Sequence, residues 1–173
     1  MSGQESSERV RVRRPATLDD TDRSIVRELR RDGRLSMRAL AEKLHISRAG
    51  VYARVERLQR DGVITGYAAV IDPERYGLGI SAYVYLKISQ HTEIGGYTWR
   101  AVRQLVLEVP EVWQGALVSG DYDLVLLVRT RDAAGLRDLV LNTFQTMPHV
   151  VSTQTVIILD ELASNGPSEE ASK

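Results

Sequence analysis

Apolar residues recur at helical steps through the first third of the chain, and the polar residues between them mark where each helix starts and stops. From Leu18 to Arg31, Ile25, Val26 and Leu29 share one face, Asp19 is placed as an N-cap and Asp22 sits in the first turn. This predicted helix ends at Asp32-Gly33. Next comes SMRALAEKLHISRAGVYARVERLQRD, Ser36 to Asp61, where Ser36 can cap a helix that turns Leu40, Ala41 and Leu44 inward. Ser47 can cap another, with Val51, Val55 and Leu58 inward, ending at Asp61-Gly62. Glycine just past a helix can take the left-handed conformation, so both Asp-Gly pairs read as stops. Only His45, Ile46 and Ser47 separate the second and third helices, a spacing that predicts a helix-turn-helix with the last helix free to enter a DNA major groove.

Beyond Gly62 the period changes. VITGYAAV, residues 63–70, reads as a small wing or linker strand, and IDPERYGLG as a turn-rich hinge ending near Gly79. Strand patterns follow at residues 80–88, 112–118, 123–128 and 150–159, the middle two joined by a hairpin turn at Ser119-Gly120-Asp121-Tyr122. Helical patterns run from about Tyr97 to Val109 and from about Ala133 to Thr146, each stopped by a proline. The order is βαββαβ. The expected fold class is therefore α+β, a winged helix-turn-helix domain at residues 18–66, a linker and hinge at 67–79, and a ferredoxin-like domain at 80–162. Both helices on one face of such a sheet leave the other bare, with large apolar side chains on it. Pairing through that face would bury it, so a homodimer is expected.

Net charge is +0 over 173 residues, but the two parts differ. Up to Gly66 there are 15 Lys/Arg against 10 Asp/Glu, and after it 8 against 13. A basic part suited to phosphate is thus joined to an acidic part with another task. Arg9, Arg11, Arg13 and Arg14 lie among polar residues in 1–17, predicting a flexible basic tail or an arm along DNA; 163–173 reads as a disordered tail. No cysteine is present, so disulfides and thiolate sites are excluded. His45, His91 and His149 are scattered, and no nucleophile–base or metal-ligand spacing appears, so neither catalysis, cofactor nor metal is expected. No apolar run approaches the ~20 residues of a membrane span, and a cytoplasmic protein is expected.

The face of the third helix opposite Val51, Val55 and Leu58 is small and polar. Ala49, Gly50 and Ala53 would let its backbone approach bases, Arg48 and Tyr52 could reach base edges, and Arg57 a phosphate. Arg54, nearer the core edge, could reach a phosphate or an acidic partner, and Ser36, Arg38 and Ser47 complete the expected DNA-facing set. The bland reading is a solvated amphipathic helix whose arginines serve solubility. Two caps, a short turn, a wing and local basic charge together favour duplex DNA.

The motifs LDDTDRSIVRELRRDGR, SMRALAEKLHIS, VYARVERLQRDGVITGY, IDPERYG, SGDYDLVL and STQTVIIL, in this order from Leu18 to about Leu162, resemble the Lrp/AsnC (leucine-responsive, feast-or-famine) transcription regulators. The resemblance implies a ferredoxin-like effector-binding and oligomerisation domain, dimers that assemble further, often to octamers, and an amino-acid effector. It also implies that Ser119, Gly120, Asp121, Tyr122 and Asp123 line an effector pocket between subunits, with Thr153 and Thr155 nearby. Amides around a glycine can hold a carboxylate, and Asp121 or Asp123 can accept from an α-ammonium. Alternatively Asp121 only shapes the turn and Asp123 pairs with an arginine. Two positions depart from the family: His45 stands where glycine is common, which predicts a strained left-handed turn, and Ser152 stands where many members carry arginine. A third departure is the stretch QHTEIGGYTW. The alternative function is a ligand-sensing module that acts through protein partners, its helix-turn-helix serving assembly.

Overall fold

The computed structural model describes residues 16–89 and 98–161. The expectations for the basic tail, the C-terminal tail and most of QHTEIGGYTW fall outside these residues. The chain divides between Ala69 and Val70 into two compact units.

The first unit holds α1 (Asp20–Arg31), α2 (Met37–Leu44) and α3 (Arg48–Arg60). Its core is Ile25, Leu29, Leu40, Ala41, Val51, Val55 and Leu58, the inward stripes that the helical spacing predicts, Leu44 packing against their edge. Asp19 and Asp22 form a capping box at the start of α1: the Asp22 amide donates to Asp19 Oδ1 at 2.8 Å and the Asp19 amide to Asp22 Oδ2 at 3.1 Å. The two Asp-Gly stops differ. Gly62 takes φ 71°, as a left-handed stop requires, but Gly33 is absent from the positive-φ positions. At the first stop Asp32 is extended (φ −143°) and its carboxylate accepts from the Arg34 amide at 2.9 Å, so a side chain ends the turn that glycine was expected to end.

Residues 63–70 form no strand. Val63 and Ile64 amides both bond back to the Leu58 carbonyl, which closes α3, and Val70 is fully exposed. A strand needs a ladder partner, and none pairs with this segment among the described residues, so β-propensity alone leaves it without strand structure.

The second unit is β1 (Ile80–Ile88), α4 (Thr98–Leu107), β2 (Val112–Leu117), β3 (Leu124–Thr130), α5 (Ala133–Asp138) and β4 (Val150–Ile157). The sheet is antiparallel with order β2-β3-β1-β4, the βαββαβ arrangement the sequence predicts. Ala82, Val84, Leu86 and Ile88 of β1 and Leu124, Leu126 and Val128 of β3 pack with Val102 and Val106 of α4 and Leu136, Leu139 and Phe144. The alternating side chains face away from the helices, and among them Tyr83 and Val156 stay 41% and 43% exposed. The second predicted helix is α-helical only to Asp138; Leu139–Phe144 is π-helical. The reason is packing: Leu139 and Phe144 are five apart and both buried, and i→i+5 winding keeps them aligned where about 3.6 residues per turn would splay them.

Candidate nucleic-acid interface and effector turn

Serine hydroxyls start both helices of the turn. Ser36 Oγ accepts from the Ala39 amide and Ser47 Oγ from the Gly50 amide, each at 3.1 Å. Between them His45 adopts φ 53°, ψ 40°, the left-handed conformation expected where a glycine is common, and the Ile46 amide reaches the Ala41 carbonyl at 3.1 Å. With Val51, Val55 and Leu58 buried, α3 presents Arg48, Ala49 and Ala53 to solvent, and Tyr52 is 50% exposed. Gly50 has a local reason as well as the expected one, since a Cβ there would lie 3.1 Å from the capping Ser47 Oγ. Arg38 is exposed and pairs with Glu42 at 2.9 Å along α2. Sequence reasoning passed over Arg60. It lies seven residues beyond Ala53, on the same outward side, and its side chain is 74% exposed. That spacing was the available signal.

Arg54 and Arg57 have specific partners. Arg54 Nη1 bonds Asp22 Oδ1 at 2.7 Å and Asp19 Oδ2 at 2.6 Å, while Arg57 Nη2 bonds Asp22 Oδ2 at 2.5 Å. For Arg54 this is the acidic-partner alternative. Arg57, assigned to a phosphate on sequence grounds, is bonded to the same acid. Asp22 is fully buried. Burial alone would raise its pKa, but hydrogen bonds from Arg54, from Arg57 and from the Asp19 amide lower it from 3.8 to about 2. The amide of Asp22 and then Arg54 lower the Asp19 carboxyl, and a hydrogen bond from Lys43 lowers that of buried Glu28. These ion pairs tie α1 to α2 and α3, so the orientation of the exposed helix is set by charge as well as by its apolar stripe.

In the second unit, residues 118–123 join β2 to β3, with Gly120 at φ 143°, a conformation that side-chain-bearing residues rarely adopt. Ser119 and Asp121 are exposed. Lys87 Nζ donates to the Asp121 carbonyl at 2.6 Å, and the Tyr122 ring lies 5.5 Å from that of Tyr85. Among the described residues no arginine pairs with Asp123. Its Oδ2 accepts from the Ile88 amide at 2.7 Å, because the end of β1 leaves that donor without a ladder partner. Leu86 pairs with Leu124 on one side and Thr153 on the other. The turn and Thr153 therefore share one end of the sheet, about 10 Å apart across β1. Thr153 Oγ1 accepts from Gln145 Nε2 at 3.0 Å, and Thr155 is two pairs further along, opposite Val84.

A cleft of about 810 Å³ lies elsewhere, at the far end of β3 between Trp113, Arg129, Asp132 and Asp138. Among the described residues no cluster of three or more His, Asp or Glu could hold a metal, and no helix is long and apolar enough to cross a membrane.

A capped helix-turn-helix joined to a βαββαβ unit defines a two-domain transcription regulator, one part for DNA and one for a ligand. Residues 18–65 match the family described as winged helix-turn-helix DNA-binding, and residues 81–167 the Lrp/AsnC ligand binding domain. The chain is 32% identical over 152 residues to the proline dehydrogenase transcriptional activator of Rhodobacter capsulatus, covering 87% of this chain and 97% of that protein. It is 30% identical over 145 residues to the leucine-responsive regulatory protein of Escherichia coli K12, covering 84% and 87%. Among solved structures, a transcriptional regulator of Neisseria meningitidis in complex with L-Met superposes with TM-score 0.79 at 26% identity, over 90% of this chain and 99% of that one. The leucine response regulatory protein of Mycobacterium tuberculosis gives 0.73 at 34%, over 87% and 99%. The chain belongs to the Lrp/AsnC family of DNA-binding transcription regulators.

Proposed function

We propose that this regulator reads an operator through α3 and that an amino acid bound at the Ser119–Asp123 turn changes its DNA affinity or assembly. The observation that carries the first half is the Ser47-capped helix whose buried stripe leaves Arg48, Ala49, Tyr52 and Ala53 outward. Arg48 and Tyr52 read base edges, Ala49 and Ala53 allow close approach, and Ser36, Arg38, Ser47, Arg54 and Arg57 serve the backbone. Support for an amino acid comes from the L-Met complex of the Neisseria relative and from the exposed Asp121 carboxylate beside Gly120.

The turn and the end-strand threonines lie on opposite sides of β1, so one small ligand meets both only when a second copy closes the site. The bare sheet face supports a homodimer that places two α3 helices one DNA turn apart or a multiple of it, and larger assemblies such as octamers build on it. The setting is the cytoplasm. A ligand acts only through different affinity for two states.

Duplex binding measured against salt, then repeated with each amino acid, tests the reading. The expected result is steep salt dependence and an effector that shifts the curve. Asp121→Ala should blunt the shift while sparing effector-free binding, and equal loss of both would refute the division of roles. Arg48→Ala should weaken a cognate site more than random DNA, whereas uniform loss would make Arg48 a phosphate contact.

A further inference from the structure

Two arginines of α3 converge on one buried carboxylate. Asp22, whose side chain is 1% exposed, gives Oδ1 to Arg54 and Oδ2 to Arg57. This fixes the two guanidiniums side by side on the α1 flank of α3. Each is engaged by a single nitrogen, Nη1 of Arg54 and Nη2 of Arg57, and each side chain remains 32% and 39% exposed respectively. None of their other nitrogens is both buried and unsatisfied, so those N–H donors face solvent. A guanidinium presents donors in a rigid fork that matches phosphate oxygens, and one already held by a carboxylate loses less freedom when it binds.

Asp19 stands differently. Its side chain is 52% exposed, and its pair with Arg54 is a surface contact. One oxygen caps α1 through the Asp22 amide at 2.8 Å while the other takes Arg54 at 2.6 Å. The four charges cancel. Displacing Asp19 alone from Arg54 leaves the remaining three with a net positive charge.

We propose that Arg54 and Arg57 together clamp one DNA phosphate, with Asp22 as the positioning residue and Asp19 as the acid the phosphate must displace. The clamp rests on the reading of α3 as the DNA-contacting helix. It differs in sign from a charge-only view, in which removing any acid tightens binding. Here Asp22→Asn weakens binding although it removes a negative charge, because both arginines lose the group that aims them. Asp19→Asn tightens binding, because asparagine keeps the cap and drops the competing charge.

The test is anisotropy of a labelled duplex with the full chain, between about 50 and 300 mM salt, with a thermal melt for each variant. Arg54→Gln and Arg57→Gln should each reduce the salt slope by about one, and the double variant also by about one, since either loss releases the same phosphate. Asp22→Asn should bind about tenfold more weakly and Asp19→Asn about threefold more tightly, the scale of one charge-assisted contact. Unchanged slopes, an additive loss of two, or Asp22→Asn binding as tightly as the parent would each overturn the clamp and leave the arginines as a strut between helices. If Asp22→Asn fails the melt, the arginine slopes and the Asp19→Asn affinity decide by themselves. Absence of salt-dependent binding by the parent chain removes the DNA reading and the clamp together, whereas the other failures remove the clamp alone.

Discussion

The two units bury charge in opposite ways. In the helical unit the buried charges are acids, Asp22 and Glu28, and cations reach them from partly exposed arms, Arg54, Arg57 and Lys43. In the sheet unit the buried charge among the described residues is a cation. Arg129 is 7% exposed, donates to Ser81 Oγ at 2.9 Å, lies 4.9 Å from the Trp113 ring centroid and pairs with the exposed Glu161 at 2.8 Å. Its Nε is buried without a partner. Core size accounts for the contrast. Among the described residues, seven buried apolar side chains hold three short helices, so polar clamps must fix their angles, whereas twelve hold the sheet unit and leave its ion pair to the uncovered face. Clamps of this kind stabilise little on balance but are costly to half-remove.

The sharpest way to break the contrast is in the larger core. Phe144→Ala, at a position with no exposure, should destabilise the sheet unit by about 3–5 kcal/mol in denaturant unfolding. A loss under about 1 kcal/mol would mean that the π-turn relaxes around the cavity and that the larger core is not what holds the sheet.

The next effect lies at Arg129. Glu161→Ala leaves a buried guanidinium without its carboxylate and should cost about 3 kcal/mol, whereas Arg129→Met removes the charge itself and should stay within about 1 kcal/mol. Equal small losses would class the pair as a solvated surface bridge.

Acidification separates the units more gently. The Asp22 carboxyl is lowered from 3.8 to about 2, so its contribution is fully present above pH 4 and is lost as pH falls through 2. The loss should be about 2 kcal/mol, tracked by urea midpoints at successive pH values, and Asp22→Asn should flatten that dependence. The smallest effect is at the turn. His45→Gly relieves a left-handed histidine and should stabilise the helical unit by about 0.5–1 kcal/mol, read as a raised melting temperature. A lowered one would show that the imidazole makes a contact worth more than the strain.

Most of the first unit was legible before folding was considered. Caps at Asp19, Ser36 and Ser47 and the stripe Val51, Val55, Leu58 depend on residues within one or two helical turns, and a chain carries that information locally. The left-handed His45 was implied by the family resemblance, in which glycine is common at that position. In the second unit, strand alternation placed β1 closely, because Ala82, Val84, Leu86 and Ile88 alternate with polar or aromatic neighbours. The nine-residue β1 matched its predicted span, while residues 63–70 formed no strand, since a strand is defined by a partner that local sequence does not name.

What the sequence determined alone, then, was the set of elements, their order and which side of each is apolar. Tertiary structure decided the partners of the charges. Arg54 lies 32 residues from Asp22, and Arg129 lies 32 residues from Glu161. Tertiary structure also decided that Asp123 serves the end of β1 and that Leu139–Phe144 must wind as a π-turn. The physical reason is range. Periodicity and capping act between residues a few positions apart, whereas burial of a charge is set by which distant segment arrives beside it.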